Sequence, residues 1–338
     1  MARRFAPTES VEFYRRTFVE FCRYETAAGG PDPHMAVVGY LAKDEPLEER
    51  IWRIGCYLSV FNVPTAELLW SNWTREQVLA DPAKLESWLR DNWKGLHLRR
   101  ERRPVKAPHR LAEHLTSFAS WAGDRFPVLL QATTYDEVWD LLNEIRYVGR
   151  YAAIKLGEAV HRYCEVTPAI GDMRPRGGKH PRIGLAYLYP KHAEQLNGND
   201  SGANLELTNR LGEGVQKTLA EEHGLELDHF HVEALLCDYK QSYHGRQYPG
   251  RSQDSELGHY RKVKDYWGDR FVSRMFEARR ALFPEWALGE LQGWDGVRDE
   301  LTPVLRDYGY TWSDSVYSYQ KTTDFANPAR RGEWASWS

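Results

Sequence analysis

Cysteine is scarce in this chain: four residues in 338, and none of Cys22, Cys56, Cys164 and Cys237 forms a C-x-x-C pair. That scatter excludes a zinc knuckle and a cysteine-ligated iron–sulfur cluster, and it favours a reducing compartment over a disulfide framework. Long hydrophobic runs are missing too. No apolar stretch approaches the roughly 20 residues that a membrane span needs, and the start Met1-Ala2-Arg3-Arg4 lacks the apolar core of a signal peptide. The expectation is a soluble, cytoplasmic protein with no membrane partner. No G-x-x-x-x-G-K-[ST] phosphate loop occurs. Nor does one sign of charge prevail, with 45 Lys and Arg against 48 Asp and Glu. Near balance argues against a histone-like binder, although local basic patches decide nucleic-acid binding more than the total does. No metal site and no cofactor are assigned.

What is plentiful is aromatic and helical. Thirteen Trp, 19 Tyr and 12 Phe suit a core or the stacking of bases. The stretch 134–163 organises the rest. Thr134 and Glu137 form a capping box, and Val138, Trp139, Leu141, Leu142 and Ile145 follow at helical spacing. A second helical pattern (Ala152, Ala153, Leu156, Gly157, Val160) follows Arg146-Tyr-Val-Gly149-Arg150. Gly149 is expected to take the positive φ of a tight turn, with small residues behind it allowing close helix approach. The first N–H groups of the second helix would then offer a seat for phosphate.

Amphipathic or apolar helical patterns cover 9–24, 48–70 (broken near Asn62-Val-Pro64), 85–93, 111–121, 205–222, 228–239 and 261–282. The fold class is therefore all-α. Three regions are expected: an N-terminal helical extension (1–47), a helical core (48–283) and a C-terminal extension (284–338), polar, aromatic and partly irregular. The segments 185–189 and 194–204 read as surface structure and a polar insertion. The run 97–110, with Arg99, Arg100, Arg102, Arg103, Lys106 and two prolines, reads as an exposed basic loop.

Beyond the hairpin, Asp172 precedes Arg174, Arg176, Lys179 and Arg182, hinged on Gly177-Gly178. Guanidinium forks and an ammonium suit phosphate oxygens, and this is the best basic patch in the chain. Taken alone, Asp172 reads equally as a helix N-cap. Glu233 and Cys237, four apart, share a helix face. Cys237 reads as a nucleophile or as a buried structural thiol, and the second is favoured because free cysteines are mostly buried. The segment around Tyr243, Gly245, Arg246, Tyr248, Gly250 and Arg251 is a glycine-punctuated basic loop.

Tyr147-Val-Gly-Arg150-Tyr-Ala-Ala resembles the hairpin of helix-hairpin-helix DNA glycosylases, and the helix order from about 48 to 246 is similar to theirs. More specifically, Glu233-Ala-Leu-Leu-Cys-Asp-Tyr-Lys240 followed by Gly245-Arg246-Gln-Tyr248-Pro-Gly250 resembles the phage α-glutamyl/putrescinyl thymine pyrophosphorylases, also called amino acid:DNA transferases. The resemblance implies a glycosylase-like helical fold acting on double-stranded DNA that carries modified thymine. A separate kinase places pyrophosphate on 5-hydroxymethyluracil in the infected bacterium. The transferase expels it and joins an amino acid or polyamine amine to the exocyclic methylene. Asp172 would face the flipped base, with Glu233 as second catalytic carboxylate. Arg174, Arg176, Lys179, Lys240, Arg246, Tyr248 and Arg251 would hold the substrate or pyrophosphate. Val148, Gly149, Arg150, Tyr151, Arg102 and Arg103 would contact DNA. Tyr151 stands where glycosylase-lyases place a lysine, so strand cleavage is not expected. A true glycosylase and a non-catalytic DNA-binding module are the alternatives.

Overall fold

The computed structural model describes residues 10–243, 251–269, 272–288, 310–313 and 318–321. The chain divides into two compact units. One draws on Met1–Asp32, Ile170–Ser255 and Phe283–Ser338, the other on Pro33–Ala169 and Glu256–Leu282.

In the first unit, α1 (Val11–Ala27) starts at Ser10, whose hydroxyl accepts from the Phe13 N–H at 3.1 Å, an N-cap for a free backbone donor. The second unit begins with α2 (Pro33–Ala42), which buries His34, Met35, Val37, Val38 and Leu41 although its Gly/Pro-rich approach suggests only a loop. In α3 (Leu47–Val60) every residue from Ile51 to Val60 is buried, as its all-round apolarity requires. It ends at Phe61, which is left-handed at φ 49°. Asn62 then caps α4 (Val63–Asn72) through its side-chain oxygen, 3.0 Å from the Thr65 N–H. Next come α5 (Arg75–Ala80), α6 (Pro82–Asn92), α7 (Pro108–Asp124), α8 (Phe126–Leu129), α9 (Tyr135–Asn143) and α10 (Arg150–Tyr163).

The chain returns to the first unit with α11 (Lys179–Leu188), α12 (Ala193–Leu196), α13 (Gly202–His223) and α14 (His229–Tyr243). The division between units falls within α15 (Arg251–Trp267), and α16 (Ser273–Leu282) follows. The single charged helix expected over 261–282 is thus two, separated after Gly268 at φ 87°. Two short strands, β1 (Tyr310–Ser313) and β2 (Ser318–Lys321), pair antiparallel with Tyr310 opposite Lys321. They lie in the C-terminal extension, expected to be partly irregular. Tyr310, Thr311, Trp312 and Tyr319 favour strands, but four residues are too few for a period-2 pattern to register. The rest of the described chain is helices and connecting segments, and the all-α expectation holds. No described helix is long and apolar enough to cross a membrane.

Buried charges tie the second unit together. Arg53, fully buried, pairs with Glu67 and donates to the Leu41 carbonyl at 2.5 Å. Glu256, also fully buried, accepts from the Val63 N–H at 3.1 Å and faces His34, His259 and Arg99 at 3.3, 3.3 and 3.6 Å. Burial alone would raise its pKa, but these partners hold it below the usual carboxylate range. In the first unit Tyr14, Phe18 and Phe21 of α1 pack with Leu185, Tyr187 and Leu188 of α11 and with Val232, Leu236 and Tyr239 of α14. The segment 185–189, expected at the surface, is therefore largely core. Its polar flanks hide an apolar helix face.

Candidate functional site

The turn between α9 and α10 is built from both its ends and from below. Thr134 accepts from the Glu137 N–H at 3.3 Å and Glu137 from the Thr134 N–H at 3.2 Å, so the expected capping box is present. The positive φ, however, belongs to Tyr147 (63°), while Gly149 is extended at φ −106° and ψ −177°. A left-handed tyrosine costs on the order of 1–2 kcal/mol, so neighbours must fix it. The Tyr147 hydroxyl donates to Glu113 at 2.6 Å, the Arg146 N–H to the Ser117 hydroxyl at 3.0 Å, and the His114 Nδ1–H to the Arg146 carbonyl at 2.6 Å. Hydrogen bonding from Tyr147, aided by Arg146, draws Glu113 below its ordinary pKa.

Arg102 completes this support and corrects the expectation of an exposed basic loop. Residues Arg100–Val105 form a 3-10 segment, and Arg102 is only 2% exposed. Its guanidinium donates to the Ser59 carbonyl (3.3 Å), the Tyr147 carbonyl (3.5 Å) and His114 Nε2 (3.1 Å). Its planar fork reaches three acceptors on different segments, which a lysine ammonium would match poorly. Burial lowers Arg102 to about 10, and burial followed by Arg102 itself lowers His114 to about 3. The imidazole is therefore neutral, with its bare Nε2 free to accept. Arg102 is thus buried and bonded within the protein. The side chain of Arg103, like Arg246 and Tyr248, lies outside the described residues.

What the turn leaves outward is Gly149, exposed, and Tyr151, 45% exposed with its ring edge-on to Phe61 at 5.5 Å. Val148 and Arg150 are half-buried beside them. A Cβ on Gly149 would meet no described atom within 4 Å, so internal packing does not demand glycine here. No side chain caps α10, whose first N–H groups and positive dipole end lie at this apex. Four of the six expected DNA contacts are thus gathered at one point.

In the first unit Asp172 is not a helix cap. It lies in the connection before α11, where Gly178 is the N-cap. One carboxylate oxygen accepts from the Arg174 N–H at 2.7 Å and sits 3.5 Å from Arg174 Nε, while the other accepts from Asn209 of α13 at 3.2 Å. The side chain remains 32% exposed. Arg176 and Lys179 are exposed nearby in sequence. Arg182 turns inward instead, bonding the Leu196 and Gly198 carbonyls and Asp200 at 2.8, 2.9 and 2.5 Å. That clamp orders the polar connection before α13. Glu233 and Lys240 are buried in α14, and Arg251 begins α15.

Cys237 differs from the other cysteines. Cys22, Cys56 and Cys164 are buried, and burial pushes their thiols up, to about 12 for Cys164. Cys237 is partly exposed, with Sγ 3.7 Å from His180 Nδ1. Sequence reasoning missed His180 and Asn209 because both contacts join residues dozens of positions apart. No described group of three or more His, Cys, Asp or Glu is placed to hold a metal.

No curated protein and no solved structure matches the chain. A family model described as amino acid:DNA transferase matches residues 57–248. That range is more than half of the chain and takes in the α9–α10 turn, Asp172 and Cys237. The chain belongs to the amino acid:DNA transferase family.

Proposed function

We propose that this transferase acts on hypermodified thymine in phage DNA. It displaces pyrophosphate from 5-pyrophosphoryloxymethyluracil and attaches the amine of an amino acid or polyamine to the exocyclic methylene. The observation that carries the reading is Asp172. Its carboxylate is oriented by the Arg174 N–H and Asn209 yet a third exposed, with Arg176 and Lys179 exposed a few residues on. A protonated amine needs a carboxylate to take its proton before it can attack. A departing pyrophosphate needs cations, for which Arg174, Arg176, Lys179 and Arg251 are suited, with Lys240, Arg246 and Tyr248 as further ligands. Asp172 is the favoured base and Glu233 the second.

The target base is stacked in the duplex and must be flipped out, at a cost of a few kcal/mol that backbone contacts offset. The α9–α10 apex acts as a glycosylase-type helix-hairpin-helix, gripping phosphate with Val148, Gly149, Arg150, Tyr151 and Arg103. A separate kinase supplies the pyrophosphorylated base, and the work is done in the cytoplasm of the infected bacterium.

The test incubates the protein with DNA bearing pyrophosphoryloxymethyluracil and a pool of amino acids and polyamines, followed by nucleoside mass spectrometry. The expected result is an intact strand, released pyrophosphate and a base heavier by the amine. Free base with an abasic site would make the protein a glycosylase. Unchanged nucleosides with retained DNA would make it a binding module.

A further inference from the structure

Gly184 of α11 packs against the backbone carbonyl of Leu236 in α14, so closely that a Cβ there would collide with it. That crossing sets His180, one turn before Gly184 on the same face, against Cys237, the residue next to Leu236. The thiol sulfur is 3.7 Å from His180 Nδ1, and Gln241, one helical turn beyond Cys237, places its amide nitrogen 3.4 Å from the same atom. Two donors converge on Nδ1, so an unprotonated Nδ1 can accept the thiol proton. Three cysteines of this chain are sealed in core. The fourth is partly exposed beside a histidine that is itself exposed and follows Lys179. Thiol and imidazole within hydrogen-bond reach are the arrangement that activates a cysteine nucleophile.

We propose that Cys237 and His180 form a nucleophile–base pair that adds transiently to C6 of the target pyrimidine. This rests on the transfer reaction proposed above. His180 Nδ1 takes the thiol proton as the sulfur–C6 bond forms, and the C5–C6 electron pair moves to the ring carbonyl as an enolate. The enolate collapses to an exocyclic methylene while the carbon–oxygen bond to pyrophosphate breaks, and pyrophosphate leaves with that electron pair. The amine adds to the methylene, regenerating the enolate, and its surplus proton passes to a carboxylate, Asp172 or Glu233. Reforming the C5–C6 double bond expels the sulfur, which recovers its proton from His180. No oxidant or reductant is consumed.

The test uses the full chain and two readouts. Amine transfer is measured for the parent, Cys237→Ala, Cys237→Ser and His180→Gln, with melting and DNA affinity as controls. Exchange of the C5 hydrogen of deoxyuridine in DNA with deuterated water is measured in parallel, because addition at C6 labilises that hydrogen and a structural thiol would not. Cys237→Ala is expected to lose transfer at least about 100-fold and all C5 exchange, with melting and DNA binding unchanged. His180→Gln is expected to shift the pH dependence of both readouts. Cys237→Ala transferring at the parental rate overturns the pair and leaves the transfer reaction standing. A parent protein that releases no pyrophosphate overturns the transfer reading and the pair with it.

Discussion

The α9–α10 turn and the Asp172 connection carry similar residue types and use them in opposite ways. At the turn, Arg102, His114, Glu113 and Ser117 spend their hydrogen bonds on the two residues Arg146 and Tyr147. The polar chemistry lies beneath the apex, and what faces outward is a glycine and the edge of a tyrosine. In the Asp172 connection Arg182 is consumed in this way and Arg174 is drawn to Asp172, whereas Asp172 itself stays partly open and Arg176 and Lys179 are exposed. A buried guanidinium must find acceptors or be destabilising, so burial converts a cation from a ligand for phosphate into a strut. The same arginine in sequence means one thing or the other according to whether the fold covers it. The turn is thus held from beneath by its own hydrogen bonds, and the connection leaves charged groups open.

The sharpest way to break the contrast is Asp172→Asn. If Asp172 is the reacting carboxylate, transfer falls by roughly 10²–10⁴-fold while melting stays normal. The fold can absorb this change. The asparagine oxygen still accepts from the Arg174 N–H, and Asn209 has a buried side-chain oxygen without a partner that a flipped amide would turn toward the new NH₂. Transfer at the parental rate would make Asp172 structural, and Glu233 the next carboxylate to change.

On the other side of the comparison, Arg102→Ala should cost stability. It leaves the Ser59 and Tyr147 carbonyls and His114 Nε2 without their donor, and each orphaned buried acceptor costs roughly 1 kcal/mol or more. A loss of about 3 kcal/mol in denaturant unfolding is expected, with Arg102→Lys a poor rescue because an ammonium lacks the fork. The salt slope of DNA binding should not move. A drop in that slope by about 0.9 would show that Arg102 releases a counterion at a phosphate after all.

Changing Arg174, Arg176 and Lys179 together to Ala should do the reverse. Any stability change should come from Arg174, which is mostly buried beside Asp172, since Arg176 and Lys179 are exposed. The log–log salt slope should flatten by about 0.9 for each cation that neutralises a phosphate. Binding insensitive to salt in the parent would remove the phosphate-clamp role from this cluster.

Legibility in the chain divides along the same line. Local signals read true: the capping box at Thr134 and Glu137, the break at Asn62 and most of the helical periods. These depend on neighbours a few residues apart. The misreadings at the two candidate sites depend on distant partners. Arg102 sorts with the exposed charges because nothing near it in sequence shows Ser59, His114 and Tyr147 around it. Gly149 attracts the positive φ that Tyr147 holds, because the supports of Tyr147 come from α7. Cys237 reads as a buried thiol because the crossing of α11 and α14 at Gly184 leaves no trace in spacing.

The smallest expected effect tests the other half of the comparison, the emptiness above the turn. Gly149 has φ −106° and ψ −177°, a conformation open to any residue, and an added Cβ meets no described atom within 4 Å. Gly149→Ala should therefore leave melting nearly unchanged, with at most about 1 kcal/mol lost because alanine is a poorer N-cap than glycine. If that open space is where a DNA backbone approaches the uncapped N–H groups of α10, the new methyl group stands in its path. DNA affinity should then fall about tenfold, which corresponds to roughly 1.4 kcal/mol, and the salt slope should hold because no charge is removed. Fluorescence anisotropy with duplex DNA across a salt series measures both quantities. Parental affinity in a normally melting Gly149→Ala protein would mean that the apex, however well formed, does not face the DNA.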